Sequence, residues 1–171
     1  KAALIGIILV MLFMIIVYRL PGLVASVSLI AYVSLVTLIM AGFFIPSWRI
    51  VTLTLPGIAG VILSIGMAVD ANVLVFERIK EELRAGKSRP VAISMGFDNA
   101  FWAIMDSNIT TFIAAIFLSQ LGTGAIQGFA VSLAIGVISS VFTALFVSRL
   151  IFDFDTDVLK AKKVSIGWGI K

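Results

Sequence analysis

Leu55–Phe76 reads LPGIAGVILSIGMAVDANVLVF, and Asp70 is its only charged residue. As a helix it measures about 33 Å at 1.5 Å per residue, slightly more than a bilayer core of roughly 30 Å. The nearest charges along the chain are Glu77, about 10 Å beyond Asp70, and Arg49, roughly 30 Å before it. A carboxylate inside such a segment costs on the order of 2.5–3.5 kcal/mol even on insertion scales. Apolar surroundings disfavour the charged form of an acid, which is the poise a proton carrier needs. An acid retained there is therefore read as functional.

The rest of the chain extends the same pattern. It is 61% hydrophobic over 171 residues, with a mean hydropathy of +1.17. Further charge-free stretches run over Ala2–Tyr18, Leu20–Trp48 and Ser107–Ser148. The last, as a single helix, would measure about 63 Å, twice the bilayer core, so it must fold back. LGTG at Leu121–Gly124 is the natural hairpin. The expectation is an all-α membrane protein, a bundle of five transmembrane helices over residues 1–152. The spans are about 2–18, 23–45, 51–76, 104–121 and 125–148, followed by a cytoplasmic tail at 153–171.

Cysteine and histidine are both absent. Disulfides, thiolate–metal ligation and the commonest proton shuttle are thereby excluded. No metal or other cofactor is expected and no enzymatic site is read. Proton chemistry must use carboxylates with hydroxyl, amide or water partners. The net charge of +4 reflects basic residues beside span ends, so it is a topology signal and does not indicate nucleic-acid binding.

With the N-terminus outside and the C-terminus inside, the inner side carries Arg19, Arg78, Lys80, Arg84, Lys87, Arg89, Arg149, Lys160, Lys162, Lys163 and Lys171. The outer side carries only Lys1 and Arg49. That asymmetry sets the orientation. A chain that opens on an outer-side span without an initiating Met reads as the C-terminal part of a longer membrane protein. Arg19-Leu20-Pro21 does not suit signal-peptide cleavage.

Pro21-Gly22 and Pro46-Ser47 punctuate the first two turns. The inner loop at 77–103 is expected to be helical in two pieces. Glu77–Ala85 extends the third span and is closed by Gly86. A second helix starts at Ser88 and Pro90, with Val91, Met95, Phe101 and Trp102 resting on the membrane interface. Small residues recur at every fourth position: Gly128, Ser132, Gly136, Ser140, Ala144 and Ser148 in the last span, and Gly60, Ser64, Ala68, then Asn72, in the third. Such ridges let helices approach closely in lipid, so the spans are expected to form a tight bundle.

The fourth span opens with MDSNITTF (Met105–Phe112). Consecutive antiparallel helices are usually neighbours. Asp70 and Asn72 are thus expected to face Asn108 or Thr111 at similar depth. The expected proton relay is Asp70, Asn72, Asn108 and Thr111, with Asp106 at its interfacial end.

Two longer stretches, TLPGIAGVILSIGMAVDANVLVFERIKEELRAGKS (Thr54–Ser88) and DSNITTFIAAIFLSQLGTGAIQGFAVSLAIGVISSVFTALFVSRL (Asp106–Leu150), strongly resemble the SecD family of export-accessory membrane proteins, within the resistance-nodulation-division (RND) superfamily. GMAVDANVL (Gly66–Leu74) and GTGAIQGFAVSLAIG (Gly122–Gly136) are its most specific parts, and KKVSIG (Lys162–Gly167) is similar to the family's tail. Where relatives commonly read DANITT, this chain has Ser107 in place of Ala.

The resemblance implies a six-span RND-type half, of which this chain holds the second to sixth spans, with a large periplasmic domain between the first two. It implies proton-driven assistance to polypeptide translocation across the bacterial inner membrane. The implied partners are SecF, the SecYEG translocon, YajC and the translocating polypeptide. The family's intramembrane aspartate falls on Asp70. An RND-type proton-coupled exporter of lipids or small molecules is the alternative. An intramembrane aspartyl protease is a weak third reading. Its Gly-x-Gly-Asp arrangement is lacking at Gly66–Asp70, and it would need Asp70 and Asp106 within about 5–6 Å of each other.

Overall fold

The computed structural model describes residues 2–41 and 54–158, with side chains over 4–41 and 54–153. All of its regular structure is helical: α1 (Ala2–Tyr18), α2 (Leu20–Met40), α3 (Leu55–Arg84), α4 (Arg89–Leu121), α5 (Ala125–Phe142), a π-helical turn (Thr143–Val147) and α6 (Ser148–Val158). The last three form one continuous rod. Four rods are long and apolar enough to cross a membrane: α2, α3, α4 and the rod beginning at Ala125. At 17 residues, α1 stands at the lower limit for a span.

Local chemistry sets the helix ends. A proline occupies the first turn of α2, α3 and α4, where its missing N–H costs nothing. The Thr54 hydroxyl caps α3 by accepting from the Gly57 amide at 3.2 Å. Gly86, at φ 83°, closes α3, and its amide returns to the Leu83 carbonyl at 3.0 Å. Gly124, at φ 53°, turns the chain into α5. The turns expected at Gly86, at Ser88–Pro90 and at Leu121–Gly124 are therefore present. The turn at Pro46-Ser47 lies outside the described residues, as does the tail beyond Val158.

Two boundaries differ from expectation. The second span starts three residues earlier, at Leu20. Arg19 alone, at φ 54°, separates α1 from α2, and Gly22 lies against the α1 backbone at Met14 and Ile15. The loop helix and the fourth span are a single helix of 33 residues. Charged residues at Asp98 and Asp106 do not end a helix, and no proline stands between Pro90 and Leu121. Gly96 instead lets α4 press against Ile79: a Cβ there would lie 2.9 Å from the Ile79 Cα.

α3 is the centre of the bundle. It runs antiparallel to α2, with Tyr32 meeting Ser64, and antiparallel to α4, with Ile79 meeting Gly96. It runs parallel to α5, pairing Gly57 with Ser132, Gly60 with Phe129 and Ser64 with Gly136. The small residues read as a ridge form this α3–α5 seam. A Cβ on Gly60 would lie 2.8 Å from the Phe129 carbonyl, and one on Gly136 would overlap Ser64 and lie 3.0 Å from the Tyr32 hydroxyl. Ala68, Gly57, Gly60, Ser64, Ser132, Gly136 and Ser140 are all buried, whereas Gly128 is half-buried at the open end.

An aromatic cluster ties the opposite end together. Phe152 of α6 inserts between Phe76 and Phe97, with ring centroids at 5.7 and 6.0 Å. Tyr18 packs on Phe76 at 5.7 Å.

Candidate functional site

Asp70 and its expected partners stand on α3 and α4, and helical geometry sorts them into separate places. Asp70 lines a cavity of about 100 Å³ with Met67, Leu74, Ser107, Asn108 and Thr111. This space admits a few waters, and four of the lining side chains are polar enough to bind them. Asp70 is exposed on the outer face of this chain, while Asn108 is buried. The chain supplies one wall of its surroundings and leaves the other side open.

The α4 side of the cavity is held in place by its own backbone. Asn108 donates through Nδ2 to the Ile104 carbonyl at 2.7 Å. The Ser107 hydroxyl donates to the same carbonyl at 3.1 Å. Thr111 donates to the Ser107 carbonyl at 2.9 Å. The hydroxyl oxygens keep their lone pairs for water or a proton donor. Asn108 Oδ1 accepts from Ser140 of α5 at 3.3 Å, so Asn108 joins the open cavity to the buried seam.

Asn72 is not in this group. Two residues along a helix is a rotation of about 200°, which turns Asn72 away from Asp70. Its Oδ1 accepts from the Ser148 hydroxyl at 2.6 Å, and its Nδ2 donates to the Ala68 carbonyl at 3.1 Å. Ser148 is also 2.8 Å from Ser28 of α2. The expected track from Asp70 through Asn72 to Asn108 is therefore two sites on opposite faces of α3. Asp106 also lies apart: it is exposed and does not line the Asp70 cavity. Its carbonyl accepts from Thr110 at 2.9 Å. A paired-aspartate protease site finds no support in this placement.

The Ser28–Ser148–Asn72 cluster is the feature the sequence reading missed as chemistry, having read Ser148 only as a small packing residue. The π-helical turn just before Ser148 shifts its register by one residue relative to a plain α-helix. That shift was not visible in the four-residue spacing. Beside it, Tyr32 donates to Ser64 at 2.6 Å, while the buried hydroxyls of Ser132 and Ser139 have no hydrogen-bond partner among the described residues.

The C-terminal end of α3 carries a compact charge cluster. Lys80 is buried, reaches Glu77 at 3.0 Å and lies 5.3 Å from the Tyr18 ring centre. Burial opposes ionisation of Glu77, but hydrogen bonds with Lys80 and Tyr18 outweigh it and hold the carboxyl below its usual range. On the next turns Glu82 pairs with Lys87 at 2.5 Å and accepts from Asn99 at 2.8 Å, binding the α3 extension to the start of α4.

This arrangement is matched in known proteins. Residues 1–155 match the family model described as protein export membrane protein SecD/SecF, C-terminal. The chain is 59% identical to the protein translocase subunit SecD of Treponema pallidum, over 96% of this chain and 27% of that protein. It is 49% identical to the corresponding subunit of Borreliella burgdorferi, over 100% of this chain and 28% of that protein. Among solved structures, SecDF of Thermus thermophilus superposes with a TM-score of 0.80 at 46% identity, covering 90% of this chain and 21% of that one. SecDF in its super-membrane-facing form gives 0.87 at 44% identity, covering 99% and 22%. The chain spans less than a third of the length of these curated relatives. By the family match and by fold, this chain belongs to the SecD/SecF family of protein export membrane proteins and corresponds to its C-terminal membrane part.

Proposed function

We propose that this chain is the membrane-embedded, proton-handling part of a SecD-type subunit that assists polypeptide export, with Asp70 as the proton carrier. One observation carries the reading. Asp70 is the only charged residue of the stretch Leu55–Phe76, and it opens onto a small polar cavity shared with Ser107, Asn108 and Thr111. Charged groups at that depth are retained for ion or proton pathways. The open side of Asp70 is where a partner subunit completes the site, and SecF is the expected partner. SecYEG, YajC and the translocating polypeptide follow from the same family reading. The basic-residue asymmetry supports an outer N-terminal end and a cytoplasmic C-terminal end in the bacterial inner membrane.

A proton crossing the membrane potential releases about 2.3 kcal/mol per 100 mV, which biases a two-state rearrangement roughly fifty-fold. Protonated and ionised Asp70 then favour different packings of α3 against α4. The test is in vivo export by the full-length protein. Asp70→Asn keeps shape and hydrogen bonding but cannot cycle charge, so proton-dependent export is expected to be lost, and Asp70→Glu to retain part of it. Normal export by Asp70→Asn under an intact proton-motive force would end the carrier assignment.

A further inference from the structure

A second cleft of the described bundle is remote from Asp70. It holds about 300 Å³ between α4 and the π-turn with α6, and its walls include Phe97, Phe101, Phe146, Arg149, Asp98 and Asp153. Three observations define it. Arg149 ends the long charge-free stretch Ser107–Ser148, so the cleft lies where the hydrocarbon core gives way to the headgroup layer. Trp102, 76% exposed on α4, and the Phe101 ring edge-on to it at 5.4 Å mark the same level, as aromatic belts do. The Arg149 guanidinium lies 6.0 Å from the Phe97 ring centre and has no carboxylate within salt-bridge distance among the described residues, although Asp98 and Asp153 line the same cleft.

We infer that this cleft binds a phospholipid with an ethanolamine headgroup. The phosphate sits on Arg149, whose donor fork suits it. The ammonium sits between Asp98 and Asp153, and an acyl chain lies along the exposed faces of Phe146 and Leu150. One cation and two carboxylates around an apolar groove match a zwitterionic headgroup better than an anionic one, which the two acids repel. The exposed Phe146 and Leu150 give the chain an apolar path towards the bilayer. The site uses no residue of the Asp70 cavity.

The test is native mass spectrometry of the purified full-length protein, delipidated and then offered phosphatidylethanolamine and phosphatidylglycerol of equal chain length. Wild type is expected to retain the ethanolamine lipid in preference. Arg149→Ala should lower its retention by about fivefold, the worth of one phosphate-paired cation near a membrane. The double variant Asp98→Asn, Asp153→Asn changes two exposed side chains and should reverse the preference towards phosphatidylglycerol. Soluble phosphoethanolamine should not compete, because it lacks the acyl contact. Equal retention of the two lipids by wild type, or an unchanged preference in the double variant, overturns the assignment. So does a cross-link from position 101 to a partner polypeptide, which would place protein in the cleft.

Discussion

The two faces of α3 differ in what they leave open. On one face Ser64, Ala68 and Asn72 are buried against α2 and α5, and the Ser64 and Asn72 side chains are hydrogen-bonded. On the other, Met67, Asp70 and Leu74 border a small cavity that the chain leaves open at Asp70. The first face is built for contact: small residues bring backbones together, and hydroxyls pair across it, Tyr32 with Ser64 and Ser28 with Ser148. The second is built to be completed. A helix that must hold a bundle together and also present a titratable group divides those duties by rotation, so that strain on one face need not disturb the other.

The seam is the place to break the first face. Gly136→Leu forces four carbons into space already filled by Ser64 and the Tyr32 hydroxyl. The expected cost is about 3 kcal/mol or more, the upper range for overpacking. Val137→Leu, one turn position away and buried against Ala115 and Leu133, adds a single methylene and should cost less. Thermal unfolding of the two purified variants in detergent compares them. Equal transition temperatures would show that the seam yields to bulk.

Asp70→Asn sharpens the contrast, since it removes the charge from the open face. Its effect on the same unfolding transition should stay within about 0.5 kcal/mol, as for substitutions away from packed contacts. Ser148→Ala acts on the closed face and should cost about 0.6–1.7 kcal/mol, the range for hydrogen bonds between membrane helices. It removes the donor to Asn72 Oδ1 and the contact with Ser28. Ser148→Thr, which restores the hydroxyl, should recover part of the loss. If Asp70→Asn destabilised the bundle more than Ser148→Ala, the division of duties between the faces would be wrong.

Much of this was legible beforehand because it is written in single residues. Pro90 in the first turn of α4, Gly86 and Gly124 at positive φ, and the four-residue ridge each impose one local geometry. The continuity of α4 is not read from the sequence because Val91, Met95, Phe101 and Trp102 suit a separate helix resting on the membrane interface, whereas a helix stops only where its backbone cannot continue. Asn72 was placed with Asp70 by depth alone; the 200° between them was available and decides the matter. Two features had no local signature. No residue pattern in Thr143–Val147 marks the π-turn, and the openness of Asp70 is set by the surroundings the chain leaves unfilled.

The smallest expected effect concerns the C-terminal end of α3, where the open and closed faces meet its charged extension. Lys80 and Tyr18 hold the Glu77 carboxyl below its ordinary range. A carboxyl whose folded value is depressed contributes stability that is complete above its unfolded value, near ~4.3. That contribution is lost as pH falls through the lower folded value. Acidification from neutral to about pH 4 should therefore leave it largely intact, with its loss confined to more acid conditions. Glu77→Gln removes the titration and should flatten this part of the stability–pH curve. Unfolding temperatures of wild type and Glu77→Gln, measured in the same detergent from pH 7 to pH 3, make the comparison. Parallel curves for wild type and Glu77→Gln below pH 4 would show that the Tyr18–Glu77–Lys80 cluster does not couple this end of the bundle to pH.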